Sequence, residues 1–268
     1  MPHVSLGFDT PNLARLYERI SAGRQFTVGQ ALIEDLALAP GERVLDVGCG
    51  TGILTEYAAD IVGPTGSATG IDPLPLRIEL AQRRARANLS LKVGDAYDLS
   101  SFPGRSFDVV FLNAVLHWLP EKHGPLRQFF NVLKSGGRLG ITTGSKDHPN
   151  KLQELTARVL KREPYSRYPE ARAEVAHAVG VDELDRLLRN AGFEVRKLTA
   201  VPNIHLYPTP EAALEFFEAS SFGNFLGHLP QELRPAGREE LKLELEELRT
   251  PEGIARPDVR VYAIATRP

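Results

Sequence analysis

The chain predicts an α/β fold: a mostly parallel sheet with helices on both faces. Two observations predict it. Between residues 43 and 142, short apolar runs of strand length alternate with segments of helical apolar spacing. One of these strands, Arg43–Val47, runs directly into a turn carrying Gly48, Gly50 and Gly52, which opens a helix. At 268 residues, 42% hydrophobic and 25% charged, the chain is able to bury a sizeable core without disulfides or metal.

The elements follow in order. After the first strand, a helix over 53–61 ends at Gly63-Pro64. A strand at 67–71, a helix over 75–87 opened by Pro75, and a strand at Leu89–Val93 repeat the unit. The run 107–112 is apolar and β-branched at Val109 and Val110, as befits a strand buried on both faces. A helix over 125–133 stops near Gly136-Gly137, and a strand follows at 138–142. Past Gly144 the rhythm changes. Helices are expected at 151–162 and Val181–Asn190 around a tyrosine-bearing break at 164–169, then a strand at 193–198, helices at 211–220 and 238–248, and a last strand at 259–265. The result is a seven-stranded sheet in four regions: an N-terminal helical lid (1–40), a ligand-binding core (41–145), a helical insertion (146–192), and the last two strands with a helical cap inserted at 203–250 (193–268).

Thirty-two basic against thirty-four acidic side chains leave a net charge of −2, so no bulk attraction to nucleic acid or anionic membrane is expected and a small-molecule partner is. The single cysteine, Cys49, excludes a disulfide framework and a multi-cysteine metal site within one chain, and no metal is expected. The start, Met1-Pro2-His3-Val4, lacks a basic segment followed by an apolar run, and no stretch nears the roughly 18 to 20 apolar residues of a membrane span. A cytoplasmic protein is expected.

The strongest signal is Val44-Leu45-Asp46-Val47-Gly48-Cys49-Gly50-Thr51-Gly52. A dinucleotide fingerprint would need a third glycine where Ile53 stands, and a phosphate-cradling P-loop would need Gly-Lys-Ser/Thr where the chain reads Gly52-Ile53-Leu54. Leu45 to Gly52 instead resembles the signature of the class I S-adenosylmethionine-dependent methyltransferases, and the resemblance spans roughly residues 40 to 145. It implies their Rossmann-like fold, S-adenosylmethionine as cofactor and S-adenosylhomocysteine as product. Asp72 in Ile71-Asp72-Pro73, twenty residues past Gly52, stands where a carboxylate accepts from both ribose hydroxyls. The resemblance further implies that Asp95 holds the adenine amino group, that the Ala96 amide touches the ring, and that Asn113 contacts the amino-acid part. Asp46 would order the loop, Cys49 and Pro73 line it, and Tyr17, in an amphipathic N-terminal stretch, would close over the cofactor. Helix capping, turn formation and core packing are the plainer alternatives for each of these alone.

A sulfonium cofactor carries its own activated methyl group, so the protein mainly aligns the reactants and excludes water, and no elaborate catalytic set is required. In Asn113-Ala114-Val115-Leu116-His117-Trp118-Leu119-Pro120, His117 is the candidate catalytic residue, suited to deprotonate a hydroxyl or to hydrogen-bond a substrate carboxylate. Trp118 would wall an apolar pocket. Leu-His-Trp-Leu-Pro is similar to small-molecule carboxyl methyltransferases acting on trans-aconitate or juvenile hormone acids, which favours methylation at oxygen. Turn capping by His117 and helix packing by Trp118 remain open. Tyr165 and Phe222 are further pocket candidates, Phe222 with Phe216, Phe217 and Phe225 in a phenylalanine-rich cap; Tyr168, His148 and His177 lie in the same lid. The reading is an S-adenosylmethionine-dependent methyltransferase of a small, hydrophobic metabolite, at a carboxylate or hydroxyl oxygen. Alternatives are a C- or N-methyltransferase of a quinone- or amine-like molecule, including the ubiquinone type, or a non-catalytic cofactor-binding protein. Arsenite methylation, which needs several thiolates, does not fit one cysteine.

Overall fold

A computed structural model describes residues 10–148, 151–169, 176–220, 226 and 229–268. Among the described residues eight strands form one sheet: β1 (Arg43–Val47), β2 (Ser67–Asp72), β3 (Leu89–Val93), β4 (Phe107–Asn113), β5 (Leu133–Gly144), β6 (Glu194–Tyr207), β7 (Arg249–Thr250) and β8 (Gly253–Thr266). Their order is β3-β2-β1-β4-β5-β8-β6, with β7 pairing β8. From β3 to β5 all pairs are parallel, and β8 runs antiparallel to both β5 and β6. The seven expected strands are all present, and the addition is β7, whose two residues are too short to show a period.

Helix α1 (Pro11–Leu16) passes through a π-helical turn at Tyr17–Ser21 into α2 (Ala22–Leu36). Then come α3 (Ile53–Val62), α4 (Pro75–Ala81), α5 (His123–Val132), α6 (Lys151–Leu160), α7 (Val181–Asn190), α8 (Pro210–Ser220) and α9 (Arg234–Leu245). Successive residues of β4 serve opposite faces, as a strand's twofold period requires: Val109 and Phe111 pack with Leu32, Ile33 and Leu36 of α2, and Val110 and Leu112 with Leu126 and Phe129 of α5 and Leu188 of α7. Helix 75–87 shortens to α4 followed by a 3-10 turn at Gln82–Arg84, where the Arg84 guanidinium turns back to the Thr51 carbonyl, Glu56 and Glu18.

The larger departure concerns the last two long strands. The strand expected at 193–198 runs to Tyr207, and the one expected at 259–265 begins at Gly253. Asn203, His205, Arg256, Asp258 and Arg260 interrupt the apolar alternation there, so the pattern does not read as buried strand. Beyond β5 these two strands continue as a ribbon on which α6, α8 and α9 build a separate core, with Leu155, Tyr165, Tyr207, Leu214, Leu241 and Ile254 at its centre. No helix among the described residues is long and apolar enough to cross a membrane.

Candidate functional site

The glycine turn is fastened at the carboxyl edge of β1. The amides of Gly48 and Cys49 both donate to the Ile71 carbonyl, at 2.7 and 2.9 Å. Gly48 and Gly50 have φ of +78° and +56°, a region that side-chain-bearing residues rarely adopt, and a Cβ at Gly48 would come within 2.3 Å of Val115. The turn therefore demands glycine at these positions, both for its backbone conformation and for the side chains that pack against it.

Asp72, at the end of β2 and 4% exposed, organises this edge. One carboxylate oxygen accepts from the Gly50 amide at 2.9 Å and the other from the Leu74 amide at 3.0 Å. Its backbone carbonyl accepts from Gly94, which ties the end of β3 to the same place. Pro73 is half-buried beside it. Past Gly94, Asp95 is half-buried and accepts from the Tyr97 amide at 3.0 Å, and Ala96 is buried. Glycine loop, Asp72 and the 94–96 turn thus share one edge, as expected. Asp46 lies beneath the loop and accepts from the Thr55 hydroxyl at 2.6 Å, clamping β1 to α3. Burial pushes its carboxyl up to about 7, with the Asp72 charge adding to the rise and the Thr55 hydrogen bond opposing it. Burial also pushes the Cys49 thiol well up, so this cysteine packs as an apolar group against Gly70.

The π-helical turn brings Tyr17 over the loop: its hydroxyl and ring lie 2.9 Å from where a Gly50 Cβ would stand. The Arg77 guanidinium stacks on that ring at 3.8 Å and donates to the Ala219 carbonyl at the end of α8. Burial pushes the Tyr17 phenol up to about 12. Asn113 has its side chain committed: Nδ2 donates to the Gln25 carbonyl at 2.8 Å and Oδ1 accepts from the Thr142 hydroxyl at 2.6 Å. It locks β4, β5 and α2 together, which leaves only its backbone for a ligand.

His117 and Trp118 sit in a 3-10 turn with ring centroids 4.8 Å apart, both half-buried. The His117 Nδ1 lies 3.2 Å from the Thr143 hydroxyl. Burial, helped by Arg260, pulls its imidazolium down to about 3, so the ring is neutral and acts as a hydrogen-bonding group. Its carbonyl accepts from the His177 amide, and Lys122 Nζ donates to the carbonyls of His177 and Leu119.

Other expected pocket residues lie elsewhere. Tyr165 is 1% exposed in the cap's own core, where its hydroxyl donates to the Glu240 carboxylate of α9 at 2.9 Å; it is not brought to the loop. Phe216 and Phe217 pack in the same core, Tyr168 packs against it, and His148 is exposed. Phe222 and Phe225 lie outside the described residues. Sequence reasoning passed over Arg77 and Gln25, which carry no motif, and the pair Arg256 and Arg260, whose alternate-position charges on one strand face were the available signal. Among the described residues no group of three or more His, Cys, Asp or Glu is placed to hold a metal ion.

A family profile described as a methyltransferase domain matches residues 38–192, more than half of the chain, from just before β1 to the end of α7. The chain belongs to the class I S-adenosylmethionine-dependent methyltransferase family. Relatives of this methyltransferase-family chain include the aklanonic acid methyltransferase DauC of Streptomyces sp. (strain C5), 37% identical over 47% of this chain and 59% of the relative. A demethylmenaquinone methyltransferase of Lactobacillus johnsonii is 32% identical over 51% of this chain and 57% of its own length. The chain thus spans less than two thirds of either relative. Among solved structures, the geranyl diphosphate C-methyltransferase of Streptomyces coelicolor A3(2), crystallised with geranyl diphosphate and S-adenosyl-L-homocysteine, shares the fold: TM-score 0.56, 16% identity, 90% of this chain and 79% of that one.

Proposed function

We propose that this methyltransferase-family protein transfers the methyl group of S-adenosylmethionine to an oxygen, carboxylate or hydroxyl, of a small hydrophobic metabolite. The observation that carries the cofactor reading is the glycine turn at the carboxyl edge of the sheet, with its Gly50 amide tied to the buried Asp72 carboxylate. The residues fit the group. In this reading Asp72 takes the ribose hydroxyls, Asp95 and the Ala96 amide take the adenine, the Gly48-to-Gly52 backbone and Asn113 carbonyl face the amino-acid part, and Tyr17 closes the site from above. The cofactor supplies an electrophilic methyl group on a sulfonium sulfur, so an acceptor oxygen gains the methyl as the sulfur takes the carbon–sulfur bonding pair. The protein's share is to align donor and acceptor and keep water out. A neutral His117 positions the acceptor through a hydrogen bond, and the low basicity of its ring favours an acceptor oxygen that is already ionised. Trp118 walls the acceptor's apolar part. The named acids and quinones of the relatives support a small organic acceptor.

Calorimetric titration with S-adenosylmethionine and S-adenosylhomocysteine tests this. Saturable binding, weakened by about 1.5 to 3 kcal/mol in Asp72→Ala and Asp72→Asn variants that still melt cooperatively, is the expected outcome. Turnover of a hydrophobic acid or phenol with release of S-adenosylhomocysteine then establishes transfer. Absence of binding by the folded wild type overturns the reading.

A further inference from the structure

Where the ribbon of β6 and β8 leaves the core, one of its faces carries a buried cluster of charge. Register places His205 opposite Arg256, Asn203 opposite Asp258 and Gly144 of β5 opposite Arg260, all on the side covered by α2 and α8. Arg256 and Arg260 are 4% and 9% exposed. Asp258 lies 3.7 Å from Arg256 and 3.8 Å from Arg260, beyond hydrogen-bond reach, and among the described residues accepts a hydrogen bond only from His205, at 3.2 Å. Among the described residues the Nε of each arginine is buried with no acceptor in reach, and the Tyr207 hydroxyl meets no partner at full hydrogen-bond geometry, its nearest charged neighbour being the Arg256 side chain. Against the penalty of burial, the His205 hydrogen bond and both guanidiniums hold the Asp258 carboxyl down to about 2, so it supplies one full negative charge. Burial lowers the affinity of His205 for a proton, which leaves it neutral.

The local sum is two cations and one anion in a low-dielectric space, with Arg24 adding positive charge over the Tyr207 ring at 4.5 Å. Burying an uncompensated charge is costly, and a native fold keeps such a group where a ligand completes it. The strand opposite presents no side chain here: a Cβ added at Gly144, directly across from Arg260, would meet nothing within 4 Å among the described residues. The place adjoins the cofactor edge, because Gln25 touches both. Its backbone carbonyl holds Asn113 at the end of β4, and its side-chain oxygen lies 3.5 Å from Arg260.

We propose that Arg256 and Arg260, with the Tyr207 hydroxyl, form an anion site that anchors a carboxylate of the methyl acceptor. That the anchored molecule is the acceptor rests on the methyl-transfer reading; the anion site stands without it. Two planar guanidiniums match a carboxylate's paired lone pairs, and their N–H donors outnumber what the single Asp258 carboxylate, too distant to bond either, takes up. A carboxylate so held is a weak nucleophile, so the anchored group keeps its charge and the methylated oxygen is a second one on the same molecule.

The test uses 2-naphthoate as probe, its neutral isostere 2-naphthamide and inorganic phosphate as comparisons, on protein saturated with S-adenosylhomocysteine. Expected is a rise in melting temperature with 2-naphthoate alone, accompanied by shifts of the Arg256 and Arg260 Nε–H resonances. Arg256→Gln and Arg260→Gln should each weaken naphthoate binding at least 10-fold while S-adenosylhomocysteine affinity stays within 2-fold. Arg256→Gln, which removes the surplus charge, should hold or raise the ligand-free Tm, by up to about 4 °C, whereas a structural arginine would lower it. Equal binding of naphthoate by wild type and variants, equal binding of the amide, or a response to phosphate alone overturns the proposal. Failure of S-adenosylhomocysteine to bind, with naphthoate still responding, overturns the cofactor reading and spares the anion site.

Discussion

The guanidinium carbon of Arg77 stands 3.8 Å from the centre of the Tyr17 ring. Through this stack the N-terminal helix, the helix after β2 and the end of α8 meet above the glycine turn, since Arg77 also bonds the Ala219 carbonyl and Ser21 bonds Ser220 at 3.0 Å. A buried cation–π contact is worth about 2 kcal/mol. Tyr17→Ala is therefore expected to raise the Kd for S-adenosylmethionine roughly 10- to 30-fold, and Tyr17→Phe, which keeps the ring, to change it less than 3-fold. Calorimetry of both variants decides; equal losses would place the effect in the hydroxyl instead of the stack.

Gly50 is confined from two directions, by a φ of +56° and by Tyr17 against the site of its missing Cβ. Gly50→Ala should cost about 1–2 kcal/mol from the backbone alone, add a clash with the ring, and abolish measurable cofactor binding. Melting curves and titration on one preparation would separate the two effects.

Asp46 carries a pH signature. Its carboxyl is raised from the ordinary 3.8 to about 7, so between those values the unfolded chain has released a proton that the folded chain keeps. Its contribution is full below about pH 4, falls as pH rises toward 7, and is constant above. Asp46→Asn, which preserves an acceptor for Thr55, should remove that slope from a plot of unfolding free energy against pH. An unchanged slope would mean that the carboxyl titrates normally.

His117 carries the opposite one. With its imidazolium lowered to about 3, the unfolded state binds more protons between pH 6.5 and 3, and the fold loses stability through that window on acidification. His117→Gln should soften that loss. It should also lower kcat/KM without altering the shape of the rate profile above pH 5; removal of an acidic limb near neutrality would reveal a general base.

Lys122 is buried, with its ammonium spent on the carbonyls of Leu119 and His177. Lys122→Met leaves both carbonyls without a charged donor and should destabilise the protein by about 1–3 kcal/mol, read in urea denaturation. The altered segment should also exchange its amides faster near His177.

The half of the fold that positions the cofactor site was legible because its strands are short, apolar and parallel, and because the Gly48-to-Gly52 turn demands residues that little else demands. Asp72 and the 94–96 turn were legible for the same reason: each ends a readable strand. Tyr17 was singled out from the family resemblance and its place above the loop is what the structure adds, whereas its partner Arg77 could not be picked out, since nothing in a lone arginine two residues after Pro75 announces a ring to stack on. Tyr165 misled because a tyrosine near a break looks the same whether its hydroxyl meets a ligand or, as here, Glu240. The outer halves of β6 and β8 were hidden by their own function-bearing charges, which erase the hydrophobic period that reveals strands.

That concealment has a mechanical counterpart. Along β8, Arg256, Asp258 and Arg260 share one face, while Val261, Ala263 and Ala265 fill the apolar core on the other. Sliding this strand by a single residue would turn the two sets to opposite faces, part Asp258 from His205 and Arg260 from Gln25, and in one direction bring Arg260 to the place of Val261 in the apolar core. Antiparallel ribbons of such length are prone to misalign during folding; here a wrong alignment forfeits the His205–Asp258 hydrogen bond and the Gln25–Arg260 contact that the native register makes. The charges that make the ribbon hard to recognise are also what keep it from zipping up out of step.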